Sequence, residues 1–360
     1  TVDSGNLAAC LLVLKQSCLE YANGSVCKPE LWRGLECTFD LLTDALRSFG
    51  EIDRQELEHH VSLFQEVFLQ AQSSVNSWSS CANMLVKELW PQLDQLIADK
   101  LVHSTESLPT ALGEVRVWVD RFHHDLHAIH RQFDDYLPWL ELLEEPPRGC
   151  EDIARSVMPL LTADVAMRNI KGNIRSCESL IERARDASME MQWASSWLTR
   201  LESSLKDGLS AQTQLGADLL KLADRAEHFA LSMDFSLLYD ADVRLFRIGF
   251  NVSSGQDDHN HYDLLASEAR TASFFAIAKR DVPMEHWFSL GRPVARVHGK
   301  PIVLSWTGSM FEYLMPALFL PGLRDTLLGE SQSAAVVYQR DYAATRKVPW
   351  GISESAFAAT

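Results

Sequence analysis

The chain has 360 residues, 46% hydrophobic and 23% charged, an ordinary globular composition with room for one large domain or two smaller ones. A net charge of −16 argues against nucleic-acid binding, and no run of about 18 apolar residues is present to cross a membrane as a helix. The acidity is uneven: positions 1–235 carry 21 basic against 36 acidic residues, and positions 236–360 carry 12 against 13.

The opening T-V-D-S-G-N-L has neither an initiator Met nor the basic region of a signal peptide, so the chain is expected to be part of something longer. The seven cysteines are odd in number and form no C-x-x-C pair, which predicts free thiols in a reducing compartment. Cys10, Cys18, Cys27 and Cys37 fall in helical pattern and are expected to be small core residues.

Asp3-Ser4-Gly5-Asn6 ahead of Leu7, Leu11, Leu12 and Leu14 predicts a helix start. Asn23-Gly24-Ser25 ends that helix, and Lys28-Pro29-Glu30 opens the next with proline in its first turn. From there to about residue 230 the pattern is helix after helix. One stripe is Leu57, Val61, Phe64, Val67 and Phe68; another is Val115, Val119, Phe122, Leu126 and Ile129. Breaks are expected at 49–50, 73–80, 103–109, 144–149 and 206–208. No internal repeat is visible. His123, His127 and His130 share a helix face, a spacing that can hold a metal. Without an H-E-x-x-H arrangement they read as a polar, solvent-facing stripe, and no metal is expected.

Near residue 235 the period changes. Residues 237–252, with a turn at Asp240-Ala241-Asp242, predict a short hairpin, followed by a polar loop and a helix carrying Glu268. Residues 292–306 predict a second hairpin around His298-Gly299-Lys300. A helix with Glu312 follows, then one near 331–344, and then W-G-I-S-E-S-A with Glu354. We therefore divide the chain into a helical region, 1–235, and a catalytic region, 236–360.

Helices in series with polar and aromatic residues at their entrances predict a mainly α fold of the α/α toroid type, with short hairpins in the connecting loops. Glu268, Glu312 and Glu354 all lie near helix entrances. A carboxylic acid walled by aromatics suits protonation of a glycosidic oxygen, and a second carboxylate can serve as nucleophile or base, so Glu268 and Glu354 are the candidate catalytic pair. Tyr262, His286, Trp287, Trp306, Tyr313 and Trp350 are candidates to stack on sugar rings. Asp3, Asn6, Asp263, Arg270, Arg292 and Glu312 are candidates to bind hydroxyls. No serine-hydrolase elbow, P-loop or dinucleotide fingerprint is present.

Five runs carry a resemblance: L-L-Y-D-x-x-x-R-L-F-x-I-G-F-N-V at 237–252, Y-D-L-L-A-S-E-A-R at 262–270, D-V-P-x-E-H-W-F-x-L-G-R-P at 281–293, L-S-W-T-G-S-M-F-E-Y-L-M-P at 304–316 and V-P-W-G-I-S-E-S-A at 348–356. Together they resemble the glycoamylase-like middle domain of cyclic β-1,2-glucan synthases. T-V-D-S-G-N-L-A at 1–8 resembles the segment that precedes it. The resemblance implies a bacterial inner-membrane enzyme with two further catalytic parts. A glycosyltransferase part uses UDP-glucose, and a phosphorylase-like part controls chain length. The middle domain faces the cytoplasm, needs no cofactor of its own, and closes linear β-1,2-glucan into rings by transglycosylation. By the same resemblance Glu268 and Glu354 match the two catalytic glutamates, read here as acid/base and nucleophile with the reverse assignment open. A hydrolytic β-1,2-glucanase and a glucan-holding scaffold are the alternatives. The family's barrel continues past residue 356, so only part of it is expected in this chain.

Overall fold

The computed structural model describes residues 1–50, 52–103, 109–162, 165–187, 192–320 and 325–353. They are mostly helical, with a few short strands and no closed barrel among them. Two compact units divide the chain: one is Cys18–Lys221, the other joins Thr1–Ser17 to Leu222–Thr360.

Ten helices cover the first 232 residues: α1 (Asp3–Asn23), α2 (Glu30–Phe49), α3 (Arg54–Ser73), α4 (Trp78–Met84), α5 (Trp90–His103), α6 (Pro109–Tyr136), α7 (Leu140–Glu144), α8 (Glu151–Val157), α9 (Met167–Ala187) and α10 (Gln192–Ser232). Local chemistry sets several of their ends. Pro29 precedes α2, and Gly50, at φ +74, closes it with its N–H on the Leu46 carbonyl. The Asp53 carboxylate caps α3 by accepting from the Gln55 and Glu56 amides. Apolar residues at helical spacing put Phe39 of α2, Phe64 of α3 and Phe122 of α6 into one aromatic cluster, with Phe39 and Phe64 stacked at 4.4 Å. The buried indoles of Trp78 and Trp139 donate to the Ala71 and Leu161 carbonyls, each at 2.8 Å.

Two expectations for the helical region 1–235 are corrected. Residues 206–208 do not interrupt a helix, because α10 runs through them. Gly208 is there for close packing: a Cβ on it would stand 2.4 Å from Trp139 Cζ3. Gly208→Ala should therefore lower stability by about 1–3 kcal/mol despite its better helix propensity, measurable by denaturant unfolding. Cys18 and Cys27 are buried as expected, but Cys10 and Cys37 are exposed; all seven cysteines are free. On α6, His123 accepts a hydrogen bond from the Trp90 indole (3.0 Å), and His130 contacts Asn83 and Asp134. No metal-binding cluster of three is found among the described residues.

The second unit carries the strands. Strands β1 (Tyr239–Asp240) and β2 (Leu245–Arg247) pair antiparallel, and β2 pairs with β5 (His261–Tyr262). Between them β3 (Phe250–Asn251) pairs with β4 (Gln256–Asp257). Helices α11 (Arg270–Lys279) and α12 (Glu285–Ser289) follow. The predicted second hairpin is β6 (Val294–Val297) and β7 (Lys300–Val303), turning through His298 and Gly299 at positive φ. Helices α13 (Met310–Leu314) and α14 (Leu327–Arg346) complete the described elements. Gly5 of α1 lies against Ala272 of α11 so closely that a Cβ would come within 2.4 Å of the Ala272 Cα.

Candidate active site

Glu268 stands just ahead of α11, not inside it, in a run (265–273) that is buried throughout. The backbone brings it there through Gly291, whose N–H donates to the Asp263 carbonyl (2.6 Å) and whose carbonyl accepts from the Leu265 amide (2.9 Å). A Cβ at residue 291 would press on that Asp263 oxygen at 3.1 Å, so the approach favours glycine. The Ser267 hydroxyl donates to Glu268 Oε2 at 3.1 Å and accepts from the Ala269 amide at 3.2 Å. Glu268, the one acidic residue of that run, keeps 9% of its surface exposed.

Arg270 is buried, and its guanidinium donates to the Ser267 carbonyl (3.2 Å) and to the Glu312 and Tyr313 carbonyls (2.9 Å each). Burial lowers its pKa to about 10, against the opposing pull of Glu268, so it is a cation at neutral pH. It therefore ties the turn holding Glu268 to the carbonyls of α13.

Glu312 is 1% exposed, and protein donors surround its carboxylate: the Ser305, Thr307 and Ser309 hydroxyls and the Trp306, Thr307 and Ser309 amides. With Ser309 it forms a capping box at the start of α13. Burial alone would raise its pKa; the hydrogen bonds from Thr307 and Ser309 prevail and hold it below the usual carboxylate range. Its geometry fixes loop 305–309 and leaves Trp306 exposed above it.

The segment 350–352 docks on the same loop. The Ile352 carbonyl accepts from the Met310 amide at 2.8 Å, and the Ile352 amide donates to Gln339 Oε1 at 2.7 Å. Trp350 is half exposed, and Glu354 lies outside the described residues. A cavity of about 420 Å³ adjoins this region, lined in part by Ser305, Thr307, Gln339, Tyr338, Tyr342 and Ile352.

The other predicted residues are placed as follows. His286 is fully buried; its Nδ1–H donates to the Arg244 carbonyl (2.9 Å) and its Nε2 accepts from the Ser273 hydroxyl (2.8 Å). Burial lowers its pKa, which keeps it neutral. Tyr313 is buried and donates to the Val303 carbonyl at 2.7 Å. Arg292 closes the end of α12 by donating to the Trp287 (2.6 Å), Leu290 (2.5 Å) and Phe288 (3.3 Å) carbonyls. Trp287 and Tyr262 are half-buried, and Asp263 is exposed. A second cavity of about 410 Å³ has Trp287, Arg270, Arg292 and Phe274 in its walls. Asp3 is exposed at the start of α1, and Asn6, one turn on, has a buried Oδ1 with no donor among the described residues.

The structure thus brings Glu268, Arg270, Glu312 and Tyr313 together, with Trp306 and Trp350 on loops joined to the same helix. Ser267 and Gln339 were missed in sequence; each is a common polar residue whose role depends on a partner's position. Ser267 adjoins the singled-out glutamate, and that adjacency was the available signal.

No protein-family model matches the chain. Over 168 residues, 46% of its length, it is 44% identical to the cyclic beta-(1,2)-glucan synthase NdvB of Rhizobium meliloti (strain 1021), and it spans 6% of that protein. The chain is therefore related to a segment of a cyclic β-(1,2)-glucan synthase.

Proposed function

We propose that this chain belongs to the ring-closing transglycosylase domain of a cyclic β-1,2-glucan synthase, with Glu268 and Glu354 as its catalytic pair. The 44% identity to the Rhizobium meliloti synthase carries the reading. The setting of Glu268 supports it: a carboxylate in a buried run, held by Ser267, with one edge to solvent. We further propose that the helix entrances belong to an (α/α)6 toroid, that linear β-1,2-glucan is the ligand, and that the parent protein places this domain on the cytoplasmic side of an inner membrane. None of the helices of the described residues is long and apolar enough to cross a membrane.

In the retaining route, Glu268 gives its proton to the glycosidic oxygen as that bond to the anomeric carbon breaks. A Glu354 oxygen forms the new bond to the same carbon, giving a glycosyl ester. The hydroxyl at the far end of the same chain then attacks, loses its proton to Glu268, and releases Glu354. Ring closure requires that water not compete, which a buried acid favours. Trp306 and Trp350 are the exposed aromatics that would stack on the glucan.

Incubating the chain with linear β-1,2-glucan tests this. Cyclic product without new reducing ends is expected, read by mass spectrometry and a reducing-sugar assay. New reducing ends would replace the reading by a hydrolase, and binding without turnover by a glucan-holding domain.

A further inference from the structure

We propose that Gln339 is a positioning residue whose amide locks loop 305–309 and segment 350–352 in one register, and so fixes Trp306 and Trp350 relative to one another. This rests on the reading above in one respect, that Trp306 and Trp350 bind glucan.

Gln339 projects from α14 and is buried at 5% exposure. Its Nε2 donates to the Gly308 carbonyl at 2.7 Å and, more weakly, to the Ile352 carbonyl at 3.4 Å. Its Oε1 accepts from the Ile352 amide at 2.7 Å. A buried primary amide is tolerated where its donors and acceptor are filled, and here both loops fill them. The two loops are turned toward it by glycines at positive φ, Gly308 at +75 and Gly351 at +92. Side-chain-bearing residues strain in that region, so the turns and the amide specify one another.

The partners of this amide are themselves fixed. Loop 305–309 is pinned by Glu312, and the Ile352 carbonyl also accepts from Met310 at the start of α13. At its other end α13 is tied to the Glu268 turn through Arg270. The five-residue helix α13 is thus a common block: Arg270 fastens the Glu268 turn to one side of it, and the Met310 amide holds Ile352, the residue that Gln339 grips, on the other.

Gln339→Met keeps the side-chain length and helix propensity and removes both polar atoms. In that variant the Ile352 amide should exchange with solvent about tenfold faster or more, while amides within α14 keep their wild-type rates. On linear β-1,2-glucan, KM should rise about tenfold with kcat within about threefold, the signature of a loosened binding surface. Gln339→Glu should regain activity relative to wild type as the pH falls, because only the protonated acid can both donate to Gly308 and accept from Ile352. Wild-type exchange and wild-type KM in Gln339→Met overturn the proposal, as does loss of protection along the whole of α14, which would mark a folding role. If the wild-type chain does not turn over glucan, the functional reading fails, and the exchange measurement alone decides whether Gln339 couples the loops.

Discussion

Glu268→Gln is expected to lower glucan turnover by at least roughly a thousandfold, the scale of losing a general acid, with little change in stability. Glutamine keeps the shape and still accepts from the Ser267 hydroxyl, so the turn ahead of α11 should hold. It has no proton to give to a departing glycosidic oxygen. Glu354→Gln should be as damaging for the complementary reason, since an amide oxygen is too poor a nucleophile to form the glycosyl ester. The two variants separate the roles. A glucosyl donor whose leaving group needs no protonation should restore the first step to the acid variant and not to the nucleophile variant. Full activity of either variant on linear β-1,2-glucan would remove that glutamate from the site.

The second large effect is on stability. Glu312→Ala should cost roughly 3 kcal/mol or more, because it strands several donors that now converge on one buried carboxylate. Loop 305–309 and the docked segment 350–352 should loosen with it, visible as faster amide exchange at Trp306 and Thr307. The same group gives a pH dependence with a defined sign. Its pKa is depressed in the folded state, so its contribution is fully present above the unfolded value, near 4.3, and is lost as the pH falls through the folded value. The stability gap between wild type and Glu312→Ala should therefore close in acid. A gap that stays constant below that range would mean that the carboxylate's charge is not what holds the loop.

Much of the fold was legible because it is written locally. The stripes of α3 and α6 fall at helical spacing, and the hairpin of β6 and β7 follows Pro293 and turns through His298 and Gly299. Local signals failed where a residue answers to something distant in sequence. Gly208 looks like a break and is a packing contact with Trp139. Cys10 and Cys37 sit in helical pattern yet face solvent, because a helical period does not say which face is buried. At the site, the motifs drew the eye to Glu268, Arg270, Glu312 and His286. What the motifs do not carry is direction. Arg270 and Arg292 spend their donors on backbone carbonyls, and His286 is filled on both nitrogens by Arg244 and Ser273. Gln339 meets Gly308 across 31 positions, and no short window contains both.

The packing of Gly5 on Ala272 has a consequence for how the chain reaches its native state. The unit that holds Glu268 is assembled from two pieces of sequence, and about 200 residues of the other unit are inserted between them. Drawing such distant pieces together from a flexible chain costs about 5 kcal/mol in loop-closure entropy. A prior collapse of the inserted helices shortens the effective tether and lowers that cost. Val2, buried in the same small core as Phe235 and Phe246, is then among the last residues whose partners arrive. Connectivity thus favours an order in which the helical insert folds first and the unit that holds Glu268 is completed when the amino-terminal turn returns to it.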